Sequence, residues 1–477
     1  MGKNYQAHID DWNEREKLAF KAVTIVNQLW LNRSVELLLF RRSLFNEGPV
    51  EILKHHRYAR DISQRDLEIF DSIKIMEALV DLPLRPSRID LGRLTLEWLD
   101  AGLPDEQLPA YLEKTLKPFL TDGPVTMPKR DVVLYGFGRI GRLLARFLIE
   151  TQGRGNGLRL RAVVCRGPMN LVKRAQLLRR DSVHGSFKGN MTVLEAESAI
   201  LANGCYVKFI EANSPSDVDY TQYDIENALV IDNTGVWRDR DGLSKHLGAK
   251  GVAKVLLTAP GKGDIPNIVY GVNTRAFEPD EKVFSAASCT TNAIVPVLKV
   301  IHEKFGIAHG HIETVHSYTN DQNLLDNYHS KPRRGRSAPI NMVITSTGAA
   351  SAVAKALPEL TGRITGNAVR VPTANVSLAI MNLELDRDTD RNAINESLRQ
   401  ASLFGEMVSQ IDYTRDEELV STDLVGNRHP AIVDSLATIV EGRRAVLYVW
   451  YDNEFGYSVQ VLRVARAIGD VEKPTYF

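Results

Sequence analysis

The sequence predicts an α/β chain built on a parallel, doubly wound sheet and entered through a long, mainly helical segment. Three observations carry this. From Asp131 onward, short apolar strand-like runs alternate with helical stretches, the order of a βαβ unit. Before that, apolar residues recur at helical spacing: Phe20, Val23, Val26, Leu29 and Trp30. Between the two textures lies Thr121-Asp-Gly-Pro-Val-Thr-Met-Pro128, a linker by composition.

Taken in order, residues 1 to about 120 read as helical. Val35 to Phe40 and Ile73 to Leu79 continue in the same style, and Pro83, Pro86, Pro104 and Pro109 punctuate the later part. The pair His55-His56 reads as an exposed helix end, because adjacent residues on a helix do not face one another. After the linker, Asp131 to Tyr135 is a strand, Arg142 to Glu150 a helix and Leu158 to Val164 a second strand. Further strands follow at Leu229–Asp232, Val255–Thr258 and Val283–Ala286, then an apolar helix from Ala293 to Ile301.

Composition narrows the function classes. The chain has 477 residues, 59 basic and 59 acidic side chains and a formal net charge of zero, with 44% hydrophobic residues. A disordered chain would be less apolar or less balanced, and a general nucleic-acid binder would carry a basic excess. No apolar run reaches the ~18–20 residues needed to cross a bilayer. Three cysteines, Cys165, Cys205 and Cys289, make no disulfide framework and point to a reducing compartment. Asp10, Asp11, Glu14 and Glu16 near the start do not suit a leader, and Gln6 stands where a myristoylation signal wants Ser or Thr. The reading is a cytoplasmic protein with neither nucleic-acid nor membrane partners, and no metal-ligand spacing is present.

The first strand runs into Gly136-Phe-Gly138-Arg-Ile-Gly141, a G-x-G-x-x-G turn that opens a helix. In that setting the motif reads as a Rossmann-type dinucleotide site. The first glycine allows the turn, the second admits a pyrophosphate, and the third lets helix and strand pack, with the helix N-terminus facing the anion. The acid that would bind the adenosine ribose hydroxyls at the end of the second strand is missing. Between Glu150 and Asp181 there is no Asp or Glu, and the strand ends in Cys165-Arg166-Gly167-Pro168. An arginine there attracts a ribose 2′-phosphate that an acid would repel. The residues favour NADP, with NAD as the alternative.

Cys289, in Ser285-Ala-Ala-Ser-Cys-Thr-Thr-Asn292, follows a strand and opens a helix. A helix N-terminus lowers a thiol pKa and favours the reactive thiolate. Cys165 and Cys205 read as buried structural thiols. His316 is a candidate base for Cys289, although spacing alone leaves open whether the two meet. Arg333, Arg334 and Arg336 form a cationic run, and Arg370 ends a strand-like segment. Arginines distributed over a small-molecule site suit a phosphorylated substrate.

Together these segments resemble the phosphorylating glyceraldehyde-3-phosphate dehydrogenases, from about Asp131 to about Gly469. The motifs are Tyr-Gly-Phe-Gly-Arg-Ile-Gly-Arg at 135–142, Asp-Ser-Val-His-Gly at 181–185, Ser-Cys-Thr-Thr-Asn at 288–292 and His-Ser-Tyr-Thr-Asn-Asp-Gln at 316–322. Thr-Gly-Ala-Ala at 347–350, Arg-Val-Pro-Thr at 370–373 and Trp-Tyr-Asp-Asn-Glu at 450–454 add to them. The resemblance implies three parts: a helical extension and linker over 1–127, a dinucleotide-binding domain over 128–288 completed by a C-terminal helix over 454–477, and an α+β catalytic domain over 289–453.

The resemblance also implies roles. Cys289 is the nucleophile and His316 its activating partner. Thr319 and Arg370 would hold the substrate phosphate. Ser288, Thr290, Thr347 and Gly348, with Arg334 nearby, would hold the attacking inorganic phosphate. Arg139, Ile140, Thr234, Gly235 and Thr258 would contact the dinucleotide, and Asn453 would fix the nicotinamide amide. A homotetramer is implied, its 323–340 loop reaching toward a neighbour's cofactor. The departures lie on the adenosine side: Tyr135 where the family usually has Asn, Arg166 where it has Asp, and Asn327-Tyr328 where NAD-specific members have Leu-Pro. The tail after Gly469 lacks cysteine, which excludes a redox-switched tail. The expected reaction is reversible oxidation of glyceraldehyde 3-phosphate to 1,3-bisphosphoglycerate, with the coenzyme reading pointing to the gluconeogenic direction. Erythrose 4-phosphate is the alternative substrate, and a regulatory or partner-binding role is the alternative for the extension.

Overall fold

Strand Lys129–Tyr135 ends in the buried apolar run 132–135, which can only be satisfied inside a sheet covered on both faces, and that is where it lies. The computed structural model describes residues 5–123, 125, 127–151 and 157–477. Six parallel strands, Val283–Ser285, Val252–Leu257, Ala228–Asp232, Lys129–Tyr135, Gly157–Cys165 and Cys205–Glu211, lie side by side in that order. Two antiparallel strands, Ala199–Ala202 and Met191–Leu194, extend the edge. Numbered along the chain, the parallel strands read 6-5-4-1-2-3, the doubly wound arrangement. Its switch point falls between Lys129–Tyr135 and Ala228–Asp232, where the crevice opens.

A second sheet is mostly antiparallel. Its order is Val343–Ser346, Ile364–Val371, Ile307–Ser317, Ser377–Leu385, Arg444–Tyr451, Ala431–Asp434 and Ile411–Thr414, with Ile439–Glu441 paired to Arg444–Tyr451. The helices Cys289–Phe305, Ala349–Ala356 and Arg391–Leu403 pack with it, an α+β unit. Helix Phe455–Ile468 then returns to the first sheet and packs on helix Arg139–Thr151.

The N-terminal segment differs from its predicted form. Among the described residues five α-helices are present: Tyr5–Arg33, Pro49–Ser63, Ile69–Asp81, Leu91–Ala101 and Leu108–Thr115. Val35 to Phe40, read as helical, instead contains the strand Glu36–Leu39. A short apolar run has no periodicity that separates helix from strand, and a partner decides. Here the partners are Arg42–Ser43, antiparallel, and Arg88–Asp90, parallel. The far edge of this small sheet is Thr475–Tyr476, the last strand of the chain. The C-terminal helix therefore ends at Ile468, short of its predicted limit, and the tail crosses to the N-terminal unit.

The tail is anchored along its length. Glu472 accepts from Tyr270 Oη at 2.9 Å, Lys473 Nζ donates to Ser34 O at 2.7 Å and lies 4.3 Å over the Trp30 ring, and Tyr476 Oη donates to Glu97. One continuous apolar core runs from Ala22, Leu37 and Ile89 of this unit into Val433 of the second sheet and Leu298 and Leu398 of the helices packed with it. The segment is thus packed on the catalytic unit. Among the described residues, no helix is long and apolar enough to cross a membrane.

Candidate active site

Ser288 caps the helix Cys289–Phe305, its Oγ accepting from Thr291 N at 3.0 Å. Cys289 is therefore the first helical residue, half-buried at a helix N-terminus whose next residues, Thr290, Thr291 and Asn292, are buried. His316 comes from the end of strand Ile307–Ser317, which runs into the same place. Its Nε2 lies 3.6 Å from Cys289 Sγ. Its Nδ1 sits 2.7 Å from Ser317 O, which selects the tautomer with hydrogen on Nδ1 and leaves Nε2 to accept from the thiol.

The parallel register places Arg370 directly beside His316. Arg370 Nη1 donates to Ser317 O at 2.9 Å and lies 3.0 Å from His316 Nδ1. The charge matters at that distance. Burial and then Arg370 push the imidazole down to about 3, so it rests neutral. Burial pushes the Cys289 thiol up and outweighs Arg370 and the main-chain N–H groups of Thr290 and Cys289 at the helix N-terminus, which pull it down as expected, so the net shift is upward. The resting pair is a neutral thiol beside a neutral base, and the proton moves when the sulfur attacks.

Strand Val343–Ser346 pairs with Arg370's own strand, Val343 opposite Arg370. This edge brings Arg334 in, its Nε donating to Thr345 Oγ1 at 3.1 Å and its Nη1 paired with Asp321. Thr347 and Gly348 follow at the start of helix Ala349–Ala356. Thr319 is half-buried on the loop after His316, a loop tied to the one after Arg370 by Tyr318 N donating to Thr373 O at 3.2 Å. Ser288, Cys289, His316, Arg334 and Arg370 thus converge. Thr290 is buried, its hydroxyl 3.0 Å from Tyr451 Oη. Tyr451, edge-on to His316 at 5.9 Å, was not anticipated from sequence. Among the described residues, no group of three or more His, Cys, Asp or Glu side chains is arranged to hold a metal ion.

On the other sheet, Gly136 takes φ +100°, and a Cβ on Gly141 would lie 2.5 Å from Gly136 O. A Cβ on Gly138 would meet nothing within 4 Å, so this turn faces open space where helix Arg139–Thr151 begins. Thr234 and Gly235 follow strand Ala228–Asp232, and Thr234 packs against the turn; its N and Oγ1 both donate to Asp232. Thr258 Oγ1 donates to Asp232 O at 3.1 Å. Ile140 is partly buried against this core. Arg139 is held by Asp181 and Glu454, which leaves its main chain, not its guanidinium, to face a ligand. Asn453 is buried and its Oδ1 accepts from Ser377 Oγ at 2.9 Å, leaving the amide nitrogen to donate elsewhere. The open glycine turn, the helix N-terminus and the free Asn453 amide suit a nicotinamide dinucleotide.

Two family models match: the NAD-binding domain of glyceraldehyde 3-phosphate dehydrogenase over residues 130–240, and the C-terminal domain of the same enzyme over residues 288–453. The chain belongs to the glyceraldehyde-3-phosphate dehydrogenase family. It is therefore an oxidoreductase with a nicotinamide dinucleotide cofactor. A glyceraldehyde-3-phosphate dehydrogenase-like protein of Pseudomonas aeruginosa (strain UCBPP-PA14) is 51% identical over 463 residues, 95% of this chain and 99% of that protein. The chloroplastic glyceraldehyde-3-phosphate dehydrogenase A of Zea mays is 41% identical over 341 residues, 71% of this chain and 82% of that protein. The glyceraldehyde-3-phosphate dehydrogenase of Zymomonas mobilis is 40% identical over 336 residues, 70% of this chain and 97% of that protein.

On the adenosine side of this family fold, Arg166 is exposed at the end of strand Gly157–Cys165, with its guanidinium 5.7 Å from the centre of the Trp237 ring. Tyr135 is fully buried against Trp237 and against His246, which bonds Asp232 at 3.0 Å. Trp237 and Ser377 carried no recognisable signal in sequence. Asp181 and Glu454 lay inside quoted motifs, without an assigned role.

Proposed function

We propose that this protein catalyses the reversible, phosphorylating oxidation of glyceraldehyde 3-phosphate to 1,3-bisphosphoglycerate, with NADP preferred to NAD. The observation that carries the reaction is the Cys289–His316 pair at 3.6 Å with Arg370 against the imidazole. Cys289 Sγ bonds to the aldehyde carbon as its proton passes to His316 Nε2. The resulting oxyanion lies where the Cys289 main-chain N–H can donate to it, and it takes a proton from His316 to become the hemithioacetal hydroxyl. The glycine turn and Asn453 would hold the dinucleotide, whose nicotinamide would supply the hydride acceptor. As hydride leaves the carbon, His316 takes the hydroxyl proton and a thioester remains on Cys289. Inorganic phosphate, held by Ser288, Thr290, Thr347, Gly348 and Arg334, attacks the thioester carbonyl. The thiolate departs and recovers its proton from His316, and the acyl phosphate is released. Thr319 and Arg370 anchor the substrate's own phosphate throughout.

The coenzyme preference rests on Arg166, displayed beside Trp237 with no acid on its strand end to repel a 2′-phosphate. An NADP bias suits the reductive, gluconeogenic direction. We place the enzyme in the cytoplasm as a homotetramer, in keeping with the family. Purified protein should reduce NADP only when glyceraldehyde 3-phosphate and inorganic phosphate are both present. Turnover that is independent of phosphate, or faster with erythrose 4-phosphate by kcat/KM, would refute the substrate assignment.

A further inference from the structure

The N-terminal unit inserts Arg41 into the catalytic unit, with the half-exposed Arg42 beside it, 3.9 Å from the same Asp412 carboxylate. Phe40 and Arg41 form the turn between strands Glu36–Leu39 and Arg42–Ser43, with φ of 42° and 63°. Positive φ at both central residues is the geometry that hairpins usually assign to Asn or Gly. Asp90 holds it: one carboxylate accepts from Phe40 N at 2.9 Å, Arg41 N at 2.8 Å, Gly92 N at 3.0 Å and Arg93 N at 3.2 Å. Gly92 lies under the Phe40 ring, where a Cβ would come to 2.7 Å. Strained backbone that its surroundings over-determine is a mark of a functional position.

Arg41 is 6% exposed and reaches across the interface. Its guanidinium donates to Ser402 O, to Tyr58 Oη and to the Asp412 carboxylate. Tyr58 Oη donates to the same carboxylate at 2.8 Å. Asp412 is held ionised, far below the usual carboxylate range, by Arg41 and Arg42 acting against burial. Its other oxygen accepts from Asn427 Nδ2 at 3.0 Å. Asn427 in turn fixes its own loop, its Oδ1 accepting from His429 N at 2.9 Å. Next to it, Gly426 N donates to Asp452 Oδ2 at 2.8 Å, and Asp452 Oδ1 accepts from Glu454 N and Phe455 N at 2.9 and 2.7 Å. The loop also touches the start of the last helix, since a Cβ on Gly456 would lie 3.0 Å from His429 O. Asn453 sits inside this turn.

We propose that Arg41 is a positioning residue for the nicotinamide site, acting through Asp412, Asn427 and Asp452 on the turn that carries Asn453. The N-terminal unit is then a permanent part of the coenzyme site's scaffold. The Arg41–Asp412 pair is buried, the links onward through Asn427 and Asp452 are part-buried, and Asn427 and Gly426 are joined through the chain, so loosening either end displaces the turn. The inference rests on Asn453 holding the nicotinamide amide, as proposed above.

The test uses the full-length enzyme with Arg41→Met, Arg41→Lys and Asn427→Ala. Asn427→Ala leaves the Arg41–Asp412 pair intact, so it remains informative should Arg41→Met fail to fold. The readouts are KM for the dinucleotide, KM for the aldehyde and the rate of Cys289 alkylation by iodoacetamide. Asn427→Ala and Arg41→Met should raise the dinucleotide KM about fivefold to tenfold, the scale of one lost buried hydrogen bond. Aldehyde KM and alkylation rate should stay at wild-type values, and Arg41→Lys should stay closer to wild type than Arg41→Met. A dinucleotide KM unchanged in folded Asn427→Ala would overturn the proposal, as would parallel shifts in all three readouts. A wild-type enzyme that binds no nicotinamide dinucleotide would instead overturn the functional reading.

Discussion

Replacing Gly138 and Gly141 separately with Ala should split ligand approach from packing. At Gly141 the new methyl carbon would stand 2.5 Å from Gly136 O and 3.3 Å from its carbonyl carbon. An ordinary C···O contact is about 3.3 Å or more, so turn and helix must separate. Overpacking of this kind costs roughly 1–3 kcal/mol, partly offset by about 0.5–1 kcal/mol because Ala suits a helix better than Gly. Gly138 is different: its backbone is not in the left-handed region and its Cβ would meet no protein atom within 4 Å. Gly138→Ala should therefore keep the wild-type melting temperature while weakening dinucleotide binding by about tenfold or more, because the methyl group occupies the pyrophosphate's approach. Gly141→Ala should lower both. Fluorescence titration with the dinucleotide and a thermal melt measure the two quantities. Wild-type affinity in Gly138→Ala would refute the placement of the pyrophosphate at this turn.

Cys289→Ser should abolish NADP reduction while leaving dinucleotide affinity unchanged; turnover within tenfold of wild type would remove the nucleophile assignment. Arg166→Asp should shift the kcat/KM ratio from NADP toward NAD, and an unchanged ratio would show that another residue reads the ribose. Stability should fall with acid: His316 is held neutral, pushed down to about 3, whereas the free imidazole takes a proton near 6.5. The unfolded chain binds the extra proton between those values, so stability is complete above about pH 6.5 and lost progressively toward pH 3, by about 2 kcal/mol at pH 5 from this group. His55 and His56, expected at an exposed helix end, lie within helix Pro49–Ser63, half-buried and buried; burial lowers His55 to about 4 and lowers His429 too, and both add to the slope, which a melting series from pH 7.5 to 5 would measure. Deleting residues 472–477 should expose the N-terminal unit to limited proteolysis at protease levels that leave the full chain intact.

The parts of the site that were legible in sequence are those where the chemistry is local. The glycine turn is a contiguous string between a strand and a helix, and Cys289 sits at a helix start that its own neighbours define. The pairing of His316 with Cys289 depends on two elements 27 residues apart meeting in space, and resemblance, not spacing, supplied that expectation. The direction of the thiol shift was misjudged because the helix end is visible in sequence while the burial around it is not. The Arg41–Asp412 pair left no trace, since a buried ion pair between residues 371 positions apart has no motif. The strand Glu36–Leu39 was misread because its partners, Arg88–Asp90 and, beyond them, Thr475–Tyr476, lie far along the chain.

That last strand bears on how the molecule comes into being. The first ninety residues leave the ribosome well before their sheet's outer strand exists. At synthesis rates of ~5–20 residues per second the delay is roughly 20–80 s. During this interval the edge of Arg88–Asp90 is an open template, and the apolar face that joins the common core has no partner. The unit at the front of the chain is thus among the last to be completed, and the nascent protein depends on whatever shields it until residues 475–476 arrive.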